Sequence, residues 1–193
     1  MTNIIRPGAG ILFMKVGTHA QESLADIIAR KTKEIEQAGY AMWGYGGNTC
    51  HPRTMVQPFA EEVSKRHEPI FLCMQAMESN HWAEPLRAEE YSADGLKWER
   101  IPDSIDVRGS KFALMIKGLR EEEHVLPLDQ TRVPIGPNRG RLGSRYIQKR
   151  VDKACLEVME QAEHLNEGEP VVARINLVAE LVEPYAVFLR DPK

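Results

Sequence analysis

The sequence predicts an α+β fold, a mixed and mostly antiparallel β-sheet packed against two main helices, in a single domain over residues 1–193. Three observations lead there. Short apolar runs of strand length recur along the chain, two stretches carry apolar residues at helical spacing, and glycine, proline and an Asp-Gly pair separate them.

In chain order, Gly10–Val16 is a nearly continuous apolar run, the signature of a buried strand. A helix follows, with Thr18 and Gln21 spaced as a capping box, Leu24, Ile27, Ile28 and Ile35 on one face, and Gly39 as the stop. Tyr40–Tyr45 resumes as a strand and completes a β-α-β unit. Residues Gly44 to Arg53 hold three glycines and a proline, which break both periods, so the segment is a loop. Val56–Arg66 reads as a short helix and Pro69–Ala76 as a central strand.

Asp94-Gly95 fits a type I′ turn joining strands at 86–93 and 96–101. Ser104–Val107 and Lys111–Lys117 are further strands, and the acidic run Glu121–Glu123 leads into a long connection. From Ser144, Ile147, Val151, Ala154, Cys155, Val158, Ala162 and Leu165 trace one face of a second helix that Gly168 ends. Val171–Val182 alternates as a half-buried strand, Glu183-Pro184 bends the chain, and Tyr185–Leu189 follows.

Composition narrows the functional classes. Hydrophobic residues at 42% and charged residues at 27% are globular values, and a net charge of −3 argues against a general nucleic-acid coat. No apolar run approaches the roughly 18–20 residues of a membrane helix, and the start lacks the layout of a signal peptide, so no membrane partner is expected. The three cysteines form no C-x-x-C pair, and the six histidines show no ligand spacing. A cytoplasmic protein without metal or cofactor is the expectation.

Two loops carry the functional signal. Between Arg132 and Lys153 lie seven cations against one acid, Asp152. Glycines 136, 140 and 143 let backbone N–H groups converge, Ser144 sits at the expected helix start, and Arg139, Arg141 and Arg145 offer the bidentate geometry that suits phosphate. The alternative is a solvated loop whose arginines pair with Glu121–Glu123. The spacing is neither a P-loop nor a dinucleotide fingerprint.

The second loop follows the strand that ends in Trp43 and Tyr45, which share one side and could stack on a planar ring, while Asn48, Thr49 and the glycine N–H groups read polar edges. Its alternative is a tight turn with both aromatics in the core. Cys50-His51 suggests a thiolate and its base, though adjacent side chains seldom face one another. Glu78–Trp82 either lines a pocket or forms a polar turn.

Together these features predict a non-catalytic protein that binds an anionic, nucleotide-like small ligand as a sensor, carrier or sequestering agent, through Trp43, Tyr45, Asn48, Arg53, Arg139, Arg141, Ser144 and Arg145. The alternatives are a phosphoester hydrolase or transferase, a Cys50-dependent thiol enzyme, and a nucleic-acid-binding protein. A homo-oligomer is expected as well, because the long C-terminal strand needs a partner to cover it.

Overall fold

The computed structural model describes residues 3–79, 83–149, 151–161 and 170–191. The fold is α+β, with nine strands in one mostly antiparallel sheet and two main helices. In chain order the elements are β1 (Gly10–Val16), α1 (Leu24–Ala38), β2 (Ala41–Tyr45), a π-helical turn (Pro52–Val56), α2 (Gln57–Ser64), β3 (Phe71–Ala76), β4 (Glu90–Ser92) and β5 (Glu99–Arg100). Then come β6 (Phe112–Pro127), a 3-10 turn (Leu128–Gln130), β7 (Thr131–Arg132), the single-turn α3 (Gly143–Tyr146), β8 (Lys153–Val158) and β9 (Val172–Arg190).

The strand order is β2-β6-β9-β3-β1-β8-β7, with β4 joined to β9 and β5 to β4. Among the described residues only β1 and β3 pair in parallel. The expected β-α-β unit is therefore rearranged. The chain leaves β1 through α1 but places β2 beside β6, at the far edge, and the parallel neighbour of β1 arrives one helix later as β3.

Both helices differ in detail from expectation. α1 starts later than the capping box suggested, because Ser23 is its N-cap and accepts from the Asp26 N–H at 3.2 Å. Gly39 ends it as expected, in the left-handed conformation at φ 84°. The second main helix is α2, not the stretch from Ser144. There the helix lasts one turn, and Ala154, Cys155 and Val158 belong to β8.

The reason is physical. β8 is buried on both faces, with Ala154, Leu156 and Val158 in one core and Cys155 in another, and a run that is apolar on both faces satisfies helical and extended periods alike. Ala162, Leu165 and Gly168, expected to finish that helix, lie outside the described residues.

Other segments are also corrected. Ser104–Val107 is not a strand. It is an irregular segment that buries Ile105 and Val107. The Asp94-Gly95 pair does sit between antiparallel strands, but pairing begins only at Tyr91↔Glu99, so the connection is longer than a two-residue turn. The acidic residues Glu121–Glu123 lie within β6, which runs on to Pro127.

β9 is one strand from Val172 to Arg190. Leu114 pairs with Ala186 and Ile116 with Leu181, so Val182–Tyr185 bulge opposite Met115 alone, and Pro184, which cannot donate to a ladder, falls inside the bulge. β6 flanks β9 along nearly its whole length, and on the other flank β3 pairs with Leu177–Glu180 and β4 with Phe188–Arg190, so much of the strand is covered within the fold.

Three cores result. α1, α2 and one sheet face enclose the largest, around Phe59, Leu72, Met74, Leu114 and Leu177. Because β6 runs through the 3-10 turn directly into β7, which pairs with β8 at the opposite end of the sheet, the sheet curls on itself and encloses a second core around Phe13, Cys73, Leu156 and Ile175. The segment 88–107 caps the other end over Met42, Met115 and Val187. No helix among the described residues is long and apolar enough to cross a membrane.

Candidate ligand-binding site

The two loops singled out by the sequence lie against each other. Gly136 approaches the π-helical turn so closely that a β-carbon there would stand 2.7 Å from Met55 Sδ, and its φ of +85° also excludes other residues at low cost. A β-carbon at Gly47 would stand 3.5 Å from Lys153 Nζ. Beneath this junction the Cys50 and Cys155 thiols share a hydrogen bond, which together with complete burial holds the Cys155 thiol well above the usual range.

The basic loop is shaped by its own backbone. Val133 N–H donates to Arg141 O and Gly140 N–H to Val133 O, both at 2.8 Å, so residues 133–141 form a closed loop standing on β7. Arg139 and Arg141 on this loop, and Arg145 in α3 after it, are all exposed. Of Glu121–Glu123, Glu122 on β6 binds Arg120 and accepts from His124 Nε2 at 2.7 Å, and none of the three forms an ion pair with the loop arginines among the described residues. Among the described residues, Arg139, Arg141, Arg145 and Lys149 have no ion pair.

A cleft of about 460 Å³ opens between this loop and α2. Its apolar wall is Phe59, Val63, Pro134 and Ile135, and its rim carries Lys65, Arg66 and Arg139. Two carboxylates also line it, and both are paired: Glu62 with Lys65 at 2.8 Å, and Glu157 with Arg132 at 3.5 Å and Arg66 at 3.9 Å. The cations outnumber the acids, and Arg139 forms no ion pair among the described residues.

The remaining sequence-predicted residues are distributed as follows. Trp43 and Tyr45 are buried in the main core, 6% and 4% exposed, and the Tyr45 hydroxyl donates to Cys50 O at 2.7 Å, so neither ring faces a ligand. Burial also raises the Tyr45 phenol above its ordinary range. Asn48 is exposed in the glycine loop, and Arg53 is exposed with its guanidinium donating to Asp94 O at 3.3 Å, away from the cleft. Ser144 lies within α3, whose N-cap is Leu142 without a side-chain cap, so the expected phosphate cradle at a long helix start is replaced by a single turn.

Cys50 and His51 turn to different partners. While Cys50 is buried against Cys155, the His51 ring packs edge-on between Phe112 and Phe188 at 5.7 and 5.4 Å, and its Nδ1 accepts from the Thr54 N–H at 3.4 Å. The imidazole thus caps the π-helical turn and does not face the thiol. Among the described residues no group of three or more His, Cys, Asp or Glu could hold a metal ion. His81 and Trp82 lie outside the described residues.

Comparison with protein-family models, with curated proteins and with solved structures found no match. The arrangement is therefore interpreted on its own chemistry. Sequence reasoning located Arg139 but missed Lys65 and Arg66, which complete the rim from the end of α2. Their signal was the Lys-Arg pair closing a short helix, which gains meaning only when the fold sets that helix end against the basic loop.

It also missed a second charged cluster. Lys31 and Glu34 on α1 are each 2% exposed and paired at 3.1 Å. Lys31 Nζ donates to Asp106 O at 2.7 Å, Glu34 Oε1 accepts the Asp106 N–H at 2.9 Å, and Arg30 binds Glu22 at 2.7 Å as well as Asp106 O. Arg108 closes the group on the Asp106 carboxylate at 2.6 Å, which helps hold that carboxyl below its usual range against the opposing effect of burial. Burial lowers the Lys31 ammonium to about 8 against the opposing pull of Glu34. Every charge here is satisfied within the fold, and the cluster clamps the irregular segment 101–108 onto α1.

Proposed function

We propose that the protein binds a phosphate-bearing small ligand of nucleotide size in the cleft between α2 and the basic loop, without turning it over. The observation that carries this reading is the convergence of Lys65, Arg66 and Arg139 on the rim of a cleft walled by Phe59, Val63 and Ile135. A guanidinium fork matches phosphate oxygens, and an apolar wall accepts the flat face of a base or a comparable ring. The cavity, about 460 Å³, falls in the size range of small-molecule sites, roughly 300–1,000 Å³.

Binding is preferred to turnover because the two carboxylates at the cleft are both occupied by cations, which leaves neither placed as a free general base. The ligand residues in this reading are Arg139, Arg66 and Lys65, with Arg132 held in reserve on Glu157. The test is a thermal-shift screen against mono-, di- and cyclic nucleotides and inorganic pyrophosphate. A ligand at 100 times its dissociation constant adds about 2.7 kcal/mol to stability. A flat response across the panel overturns the reading, and a positive response followed by product formation on long incubation replaces binding with catalysis.

A further inference from the structure

Resting on that reading of the cleft, we infer that the phosphate-bearing ligand is one nucleotide of a single-stranded nucleic acid, whose backbone continues from the cleft along the basic loop. Residues 139–149 contain Arg139, Arg141, Arg145 and Lys149 and no acid. All four are exposed, and among the described residues none forms an ion pair. Of these four only Arg139 lines the cleft, so Arg141, Arg145 and Lys149 carry the positive charge past its edge.

This excess is local. Elsewhere exposed cations are either paired, as Lys65 is with Glu62 and Arg100 with Asp103, or scattered singly, as Lys33, Lys97, Lys111 and Arg174 are, whereas here four without an ion pair among the described residues fall within eleven positions. A run of like charge on a chain of net charge −3 raises the self-energy of the loop, and a polyanion removes that cost while the loop's cations release the counterions condensed on its phosphates. The loop is braced to present these charges. Its backbone closes through Val133 and Gly140, and α3 is pinned by Tyr146 and Ile147 N–H groups donating to Leu142 O and Gly143 O at 2.9 Å. A single strand fits better than a duplex because the cleft receives one flat group against Phe59, Val63 and Ile135, which a stacked base pair does not offer.

The experiment measures binding of fluorescein-labelled 12-mers of oligo-U and oligo-dT, a labelled 12-base-pair duplex, and unlabelled mononucleotides as competitors, between 50 and 200 mM salt. The proteins are wild type, the outer-loop variant R141Q/R145Q/K149Q, and the cleft variant R66Q/R139Q, each first shown to melt like wild type. The expected result is at least tenfold tighter binding of a 12-mer than of its mononucleotide. The salt slope of the outer-loop variant should be shallower by about 2, since each single-strand phosphate contact contributes about 0.7. Mononucleotide affinity should be unchanged in that variant and lost in the cleft variant.

A 12-mer that binds no tighter than its mononucleotide, or an outer-loop variant with an unaltered salt slope, overturns the inference and leaves the cleft reading standing. Tighter binding of the duplex overturns the choice of a single strand. Failure of mononucleotides and 12-mers alike overturns both the inference and the proposed function.

Discussion

The clamp between α1 and segment 101–108 and the basic loop 133–149 both concentrate charged groups and treat them in opposite ways. In the clamp, Lys31 and Glu34 are buried and each meets both a charged partner and a backbone group of Asp106. In the loop, Arg139, Arg141 and Arg145 reach into solvent without a partner among the described residues. A charge that the fold completes is a structural part, and one that the fold leaves open is available to a ligand. That distinction was invisible in composition, because both regions read as charged helix-or-loop sequence.

The comparison is broken most directly by unbalancing the clamp. Glu34→Ala leaves Lys31 buried without its main partner and orphans the Asp106 N–H, and should cost about 3–5 kcal/mol in denaturant unfolding. Lys31→Met removes the costly desolvated ammonium while Glu34 keeps Arg30 at 3.4 Å and the Asp106 N–H, so its stability should lie within about 1 kcal/mol of wild type or above it. Equal losses in the two variants would mean that the pair, and not its balance, carries the stability.

The loop should respond in the other coin, with affinity moving while stability holds. Arg139→Ala should weaken nucleotide binding by about 1.5–3 kcal/mol, the range for a hydrogen bond to a charged group, and leave the melting temperature essentially unaltered. Calorimetric titration and a thermal melt on the same sample read both. A large drop in melting temperature would place Arg139 among the structural charges.

Titration sharpens the contrast further. The native Lys31 pKa lies at about 8 and the unfolded value near 10.5, so between these values the unfolded chain binds more protons and stability rises with pH. The raised Cys73 and Cys155 thiols act oppositely from about pH 8.5 and the raised Tyr45 and Tyr91 phenols above about 10, because the unfolded chain ionises first, and comparison with Lys31→Met cancels these shared contributions. Between pH 7.5 and 9.5 wild type should gain on the order of 1–2 kcal/mol relative to Lys31→Met. A constant difference across that window would show that the burial of Lys31 has no energetic consequence.

How legible the molecule was in its sequence follows from the same logic of completion. α1 and α2 were readable as helices, α1 from one dominant period with a stop at Gly39, and β1, β2, β3 and the start of β6 were readable as apolar runs of strand length. β8 was not, although β1 and β3 are buried on both faces as it is, because Ile147 and Val151 before it extend its apolar residues at helical spacing and no break separates them. Of the site, Arg139 was readable from its charge and glycine context. Trp43 and Tyr45 were misplaced toward a ligand because strand alternation says that they share a side and not which side is the core. Arg66 was missed because its meaning depends on a contact between distant parts of the chain.

Arg132 is the residue on which the two treatments of charge meet. It begins the basic loop, yet its guanidinium rests 3.5 Å from Glu157, which Arg66 also approaches at 3.9 Å. Both pairs are long and half exposed, so each contributes little stability, about 0–1 kcal/mol. Glu157→Gln keeps the size of the side chain and removes the charge that holds both arginines. Stability should then move by no more than about 0.5 kcal/mol, while nucleotide affinity should rise about two- to threefold as two cations at the cleft lose their competitor. Titration calorimetry on this variant at low salt measures the gain, and adding salt should erase it, because these charges are exposed to screening. A fall in affinity would instead assign Glu157 to the ligand itself, as an acceptor for a hydroxyl or amino group, and would move Arg132 from the open set of charges to the completed one.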